Sequence, residues 1–245
     1  MRLLWTFTNH EYEVPDDFVD VVEGRLRAIL PADFCSNGLY RSDGYGDLVR
    51  CVMDAVGSIG VRYQAVVNGL EKFDTFCRVN EITRPTTPKA FLDQFSSFLD
   101  DQGEWLATRI WNFQRTSTRS GILKTEAMVR MFRVLVAHGI ETTNDLLVNV
   151  SNREVRRALE AIPGQSEGVS ISYLFMLAGY RDGVKDDRMI ARWFDAVLGV
   201  SISTGQKAII LIETSRRLAT SFPCADAKEL DHFIWRYEST GNTRR

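Results

Sequence analysis

Apolar residues in this chain recur at three- and four-residue steps far more often than at every second position. Leu48, Val49, Val52, Met53 and Val56 form one such series, and Met128, Met131, Phe132, Leu135 and Val136 form another. At 3.6 residues per turn each series falls on one face of a helix, which is what a buried helix face requires. The pattern predicts helices over 16–30, 46–57, 60–73, 88–98, 102–113, 120–138, 143–149, 151–161, 167–179, 187–198, 203–220 and 225–238. Asp47 and Ser151 stand at N-cap positions, where a side-chain oxygen can take an otherwise unsatisfied N–H. Strand-like alternation is confined to residues 2–7. The expectation is an all-α fold, with breaks at the Ser/Gly/Tyr-rich stretch 36–46 and the Pro/Thr stretch 82–88.

Composition narrows the picture without fixing a function. A chain of 245 residues, 44% hydrophobic and 25% charged, can bury a sizeable core as one domain or as two lobes. Its net charge of −2 argues against a generally basic nucleic-acid coat, yet the charge is polarised. Residues 105–133 carry Arg109, Arg115, Arg119, Lys124, Arg130 and Arg133 against the single acid Glu126. Residues 1–34 carry Glu11, Glu13, Asp16, Asp17, Asp20, Glu23 and Asp33 against Arg2, Arg25 and Arg27. Cys35, Cys51, Cys77 and Cys224 lack the close spacing of a zinc or iron–sulfur site, so reduced, mostly buried thiols are expected, with neither metal nor cofactor. The opening MRLLWTFTN is too short and polar for a signal peptide, and no apolar run approaches the ~18–20 residues of a membrane span. A cytoplasmic protein with no membrane partner is the expectation.

Chemistry concentrates between residues 161 and 199. A helix ends there at Ile162-Pro163-Gly164, where Pro fixes φ and Gly permits a positive φ, as a sharp interhelical turn needs. A second helix follows from about Glu167 to Gly179, and a short loop then delivers Asp186 and Asp187 to the start of a third. The N–H groups where the second helix begins can hold an anion such as a DNA phosphate.

This order of parts, an apolar-Pro-Gly turn, a helix, a loop and then Asp187-Arg188-Met189-Ile190-Ala191-Arg192, resembles the helix-hairpin-helix–Gly/Pro-Asp signature of the endonuclease III-like DNA glycosylases. Residues 47–73 resemble that family's first barrel helices, and 121–164 resemble the helices leading into the hairpin, so the resemblance covers about residues 45–198. It implies a two-lobed helical fold with a central DNA-binding and active-site groove. Residues 46–186 would form the helical-barrel lobe ending in the hairpin, and 1–45 plus 187–245 the second lobe. It also implies a monomer acting on double-stranded DNA, nucleoid-associated when bound, in base excision and DNA repair.

The departures from the signature select a mechanism. The hairpin's usual second Gly is Ser166, and the position of the bifunctional members' Lys, five residues after the hairpin Pro, is Gly168. The polar residue that plugs the vacated stack in many members falls near Gly57-Ser58, and the C-terminal cluster cysteines are missing. Without the Lys no Schiff base with the sugar forms, so AP-lyase activity is not expected. A lone carboxylate can still stabilise the oxocarbenium-like state of glycosidic cleavage and take a proton from the attacking water. The resemblance therefore implies a monofunctional glycosylase that flips a damaged or modified base out of the duplex, one option being a bulky modified cytosine of phage DNA in a defence role. Asp187 is the candidate catalytic residue, with Asp186 as the fallback and an ordinary N-cap as a compatible role. DNA contacts fall on Pro163, Gly164, Gln165, Ser166, Gly168, Arg115, Arg119 and Lys124, and stacking faces for a flipped base on Tyr40, Tyr45, Trp111 and Tyr173. The rival reading is a non-catalytic DNA-binding protein that keeps the fold, as Ser166 and Gly168 would allow.

Overall fold

A computed structural model describes residues 13–38, 44–99, 102–118 and 120–241. Its helices are α1 Asp16–Ile29, α2 Leu48–Gly57, α3 Tyr63–Val79, α4 Pro88–Phe95, α5 Glu104–Arg109, α6 Lys124–Ala137, α7 Thr143–Val148, α8 Arg153–Glu160, α9 Val169–Leu177, α10 Arg188–Leu198, α11 Thr204–Leu218 and α12 Ala227–Ser239. The one β feature among the described residues is an isolated bridge between Arg115 and Leu123. The protein is all-α; the strand expected over 2–7 lies outside the described residues. The chain forms two compact units, Gly44–Gly179 and a second made of Met1–Asp43 with Tyr180–Arg245.

In the Gly44–Gly179 unit α2 is buried along its whole length except at Arg50, with α3, α4, α6 and α9 packed around it. Asp47 caps α2 by accepting the Arg50 N–H at 2.7 Å, and its other oxygen pairs with Arg84 at 2.7 Å. One carboxylate thereby fixes the start of α2 and ties the Pro/Thr stretch to it. Phe91 packs at a tilt against Phe95 and Phe132, at 4.8 and 4.6 Å between ring centroids, joining α4 to α6. Each fully buried side chain of this size stabilises by about 1.5–3 kcal/mol.

Helix ends differ from the sequence expectation where other groups compete for backbone. The helices predicted over 102–113 and 120–138 are α5 and α6, and the described residues between them, 110–118 and 120–123, form a loop. Ile110 and Trp111 fit a helical period, but the Lys72 ammonium donates to Thr108 O at 3.0 Å and Trp111 O at 2.7 Å. The Thr108 carbonyl, which a longer α5 would need as an acceptor, is taken. The Trp111 ring lies on Gly57 and Gly69, where any Cβ would come within 2.5 Å of it. Asn152 rather than Ser151 caps α8, accepting from Glu154 N at 3.0 Å and Val155 N at 3.4 Å.

In the second unit α1 packs on α10 and α11, and α12 packs on both of those helices. Val22, Leu26, Trp193, Phe194, Ile210, Leu211, Leu230 and Ile234 form its core. The expectation of four reduced thiols is corrected here: Cys35 and Cys224 are joined by a disulfide with a Cα–Cα distance of 5.4 Å. Nothing in a separation of 189 residues signals such a pairing; only the folded unit brings the two sulfurs together. Cys51 and Cys77 are buried thiols, and burial pushes Cys51 up to about 12.

Closing a loop this long restricts the unfolded chain, which stabilises the folded state by about 2–4 kcal/mol. Reducing the protein, or replacing both Cys35 and Cys224 by Ser, should therefore lower its melting temperature by roughly 5–15 °C. A thermal scan with and without reductant checks this; superimposable melts would mean that the bridge contributes no stability.

Candidate functional site

The hairpin segment follows α8. Ile162 O accepts the Gln165 N–H at 2.9 Å, and Gly164 adopts φ 86°. Any side chain at Gly164 would collide with the hydroxyl and Cβ of Thr116, which occupy the space a Cβ would need. The Thr116 hydroxyl donates to Pro163 O at 3.1 Å, so the loop before α6 is docked directly on the hairpin. That loop is fixed internally as well: Thr116 N donates to Ile122 O at 2.9 Å, and Arg115 Nη1 to Gly121 O at 3.0 Å. The structure thus brings together two of the segments predicted to contact DNA. Arg115 and Ser166 are exposed, and the N–H groups of Gly164, Ser166 and Glu167 have no backbone partner among the described residues. Phe113, missed by sequence reasoning, is 60% exposed on the same loop.

Three predicted DNA contacts are placed otherwise. Lys124 is 0% exposed, its ammonium donating to Gly57 O at 2.7 Å and Gln114 Oε1 at 3.2 Å. It closes α2 against the loop and cannot reach a phosphate. Burial lowers it to about 8, because no acid offsets the loss of water around the charge. Gln165 is buried, with its side chain on the Ser170 hydroxyl. Gly168 is buried as the left-handed residue that opens α9 at φ 71°. Arg119 and Tyr40 lie outside the described residues. Trp111, read as a stacking face, is 2% exposed and serves as packing between α2 and α3.

Tyr45 and Tyr173 converge on a group that the sequence reading missed. Asp54 lies within the apolar run of α2 and is 0% exposed. Its Oδ2 accepts the Tyr45 hydroxyl at 2.8 Å and the Tyr63 hydroxyl at 3.1 Å, and Tyr173 hydrogen-bonds to it as well. Tyr45 is held there because its N–H donates to Leu177 O at 3.0 Å, one turn beyond Tyr173 on α9. Gly44 makes that approach feasible, since a Cβ there would overlap the same carbonyl. Burial first, then the nearby carboxylate, pushes the Tyr45, Tyr63 and Tyr173 phenols up, so all three keep their protons. The signal available in sequence was an acid in a helix with no other polar position on its buried faces, which demands donors.

In the other unit Asp187 caps α10. Its Oδ1 accepts the Met189 N–H at 2.8 Å and the Ile190 N–H at 3.3 Å, while Oδ2 has no hydrogen bond among the described residues. Asp186 is engaged differently, forming an ion pair with Lys207 at 2.8 Å and accepting the Thr204 hydroxyl, both on α11. The loop before them is tied to α12 by the Arg181–Asp226 ion pair at 2.6 Å, by Lys228 N donating to Arg181 O at 3.0 Å, and by Lys185 N donating to Asp231 at 3.0 Å. Asp231 is buried, and burial pushes its carboxyl well above the usual range. No group of three or more His, Cys, Asp or Glu among the described residues is arranged to hold a metal ion. No helix there is long and apolar enough to cross a membrane.

The geometry is that of an all-α protein with a docked basic loop, a ringed buried carboxylate and a helix-capping aspartate beside an anchoring one. Residues 37–239 match the model of the family described as a domain of unknown function (DUF8548), and the chain belongs to that family. No curated protein and no solved structure matches it.

Lys124 gives stability a defined pH dependence. Its folded value is about 8 against an ordinary 10.5, so between those limits the unfolded chain holds a proton that the folded chain has released. Stability therefore rises with pH across that window, by up to about 3 kcal/mol, and the full burial penalty is carried below it. Urea unfolding from pH 7 to 10 of the wild type and of Lys124→Met should give a difference that changes with this sign. A pH-independent difference would show that the ammonium is not desolvated.

Proposed function

We propose that this protein is a monofunctional DNA glycosylase of the helix-hairpin-helix type, hydrolysing the N-glycosidic bond of a flipped base and leaving an abasic site. The two-lobed glycosylase architecture is part of the same proposal. The observation that carries it is the state of Asp187. One oxygen is committed to the α10 N-terminus and the other has no hydrogen bond among the described residues, on a loop that α11 and α12 hold in place. A carboxylate fixed in this way needs no reorganisation to stabilise positive charge developing on the sugar, and can take a proton from the attacking water. Asp186, the alternative, suits that role less well, because it is paired with Lys207.

The hairpin and its docked loop support a duplex as the partner. Uncommitted N–H groups at Gly164, Ser166 and Glu167, with exposed Arg115 beside them, suit phosphate oxygens. The exposed Phe113 ring suits insertion between bases when one leaves the stack. The absence of an amine at Gly168 fits simple hydrolysis rather than strand cleavage.

Two measurements test the reading. On a panel of damaged and naturally modified duplexes the protein should leave strands intact until hot alkali breaks them at abasic sites. Asp187→Asn should lower the single-turnover rate by roughly 10²-fold or more. Asn caps helices as well as Asp, so melting should change little. A variant with undiminished rate, or a borohydride-trapped covalent adduct with the wild type, would contradict the mechanism.

For binding, each neutralised phosphate adds about −0.9 to the log–log salt slope. Arg115→Gln keeps a donor for Gly121 O but removes the charge, and should make the slope shallower by about one unit on every duplex alike. An unchanged slope in a salt titration would remove the loop from the interface.

A further inference from the structure

We propose that the Cys35–Cys224 bridge is a reversible redox switch that sets the order of the loop carrying Asp186 and Asp187. What that loop does in catalysis rests on the glycosylase reading; its coupling to the bridge does not. Cys224 lies in the connection between α11 and α12, shortly before Asp226, the residue that caps α12. The loop over 180–187 takes its anchors from the same end of that helix. Arg181 pairs with Asp226 at 2.6 Å, Lys228 N donates to Arg181 O at 3.0 Å, and Lys185 N donates to Asp231 at 3.0 Å. The bridge pins the start of α12 to the turn that follows α1, and the start of α12 pins the loop. Opening the bridge removes the covalent hold next to Asp226 and, through Arg181, loosens the segment that ends at Asp187.

The surroundings suit opening and reclosing. Both cysteines are partly exposed, which gives an attacking thiolate a way in. Contacts that involve neither sulfur keep the two turns together. The buried Phe34 ring packs edge-on against Phe222 at 6.0 Å and Phe233 at 5.7 Å, and Arg27 donates to Arg217 O at 3.1 Å and Ser221 Oγ at 3.2 Å. Reduction therefore leaves two neighbouring thiols in a folded unit. The bridge is also polarised: Cys224 N–H donates to Cys35 Sγ at 3.3 Å, which favours negative charge on that sulfur and makes it the leaving thiolate. A dithiol reductant attacks Cys224 Sγ through one thiolate, the S–S bond breaks, and its electron pair leaves on Cys35. The reductant's second thiolate then attacks its own sulfur in the mixed disulfide and releases Cys224 as a thiolate. Both cysteine thiolates take a proton, and the reductant ends as a disulfide, oxidised by two electrons. Glutathione disulfide restores the bridge by the same exchange in reverse and ends as two glutathione thiols.

The test is amide hydrogen exchange of the full chain, read by mass spectrometry in the bridged form, after reduction by dithiothreitol, and after reoxidation with glutathione disulfide. Amides of 180–187 should exchange about 10-fold faster in the reduced form and recover on reoxidation, while those of α10 and α11 change by less than about 2-fold. A chain carrying both Cys35→Ser and Cys224→Ser should match the reduced form and respond to neither reagent; should it fail to fold, the wild type with and without reductant decides alone. Exchange over 180–187 that is equal in the two states, or that rises equally throughout the unit, overturns the switch and leaves the bridge as a brace. So does a bridge that dithiothreitol cannot open in the folded protein. On any duplex from which the wild type releases a base, reduction should also slow the single-turnover rate by about 10-fold or more, and an unchanged rate overturns the switch as a control of catalysis. A wild type that acts on no duplex overturns the glycosylase reading alone, because the exchange measurement does not depend on it.

Discussion

An acidic side chain inside an apolar helix imposes conditions on everything packed around it. Asp54 is on α2, the helix that α3, α4, α6 and α9 all touch, and it is shielded from water. Burying a carboxylate without partners costs several kcal/mol, so the arrangement persists only if donors arrive from neighbouring elements. They come from three places in the chain: Tyr45 just before α2, Tyr63 at the first turn of α3, and Tyr173 in the middle of α9. Each placement has its own cause, Tyr45 through Leu177 O and Gly44, the others through their helices' packing on α2. Asp54 therefore ties the register of α3 and α9 to that of α2 in a way that apolar contacts, being non-directional, do not.

The helices were legible because burial writes a 3.6-residue period into the sequence, and all the predicted helices are present with ends shifted by a few residues. What the period could not register were side chains that compete for backbone far away in sequence. Lys72 ends α5 by taking carbonyls 36 and 39 residues away, and Ile110 and Trp111 read as helix for lack of that information. Charge alone misled at Lys124: in a basic stretch it counted as a phosphate contact, yet its methylenes and ammonium fill a site between Gly57 O and Gln114. The Cys35–Cys224 bridge and the Tyr63–Asp54 bond are products of tertiary proximity, and no local pattern encodes either. The hairpin was legible for the opposite reason. Pro163 and Gly164 answer a local backbone demand, and Gly164 meets two at once, a φ of 86° and the closeness of Thr116.

Asp186 and Asp187 show how neighbours assign different work to identical side chains. Asp186 meets Lys207 and Thr204 of α11, both of its oxygens are taken, and it acts as an anchor. Asp187, one residue on, meets the N–H groups of its own helix, and a single oxygen suffices for both. Capping and the proposed chemistry therefore do not compete for the same atom. Capping would favour the proposed chemistry, because N–H groups on Oδ1 hold the carboxylate plane while Oδ2 has no hydrogen bond among the described residues. The anchors at Asp186, Lys185 and Arg181 then limit how far the loop can move, which is the condition for a carboxylate to act on a developing charge without reorganising.

The same division of labour extends to how an acidic chain could hold a polyanion. Several of the basic side chains in the 105–133 stretch are engaged internally: Lys124 is buried, Arg130 pairs with Glu126 at 2.6 Å, and Arg115 gives one nitrogen to Gly121. Fewer full charges remain than the sequence count suggests, so on the proposed DNA reading backbone N–H groups would carry a larger share of the contact. Backbone donors at a turn are fixed in direction and add no net charge. On the proposed reading, a protein built this way would bind DNA through geometry more than through field strength, with less sensitivity to salt than a basic-patch protein making the same number of contacts. That puts a requirement on the turn: Gly164 has no room for a side chain, because of its φ of 86° and its contact with Thr116.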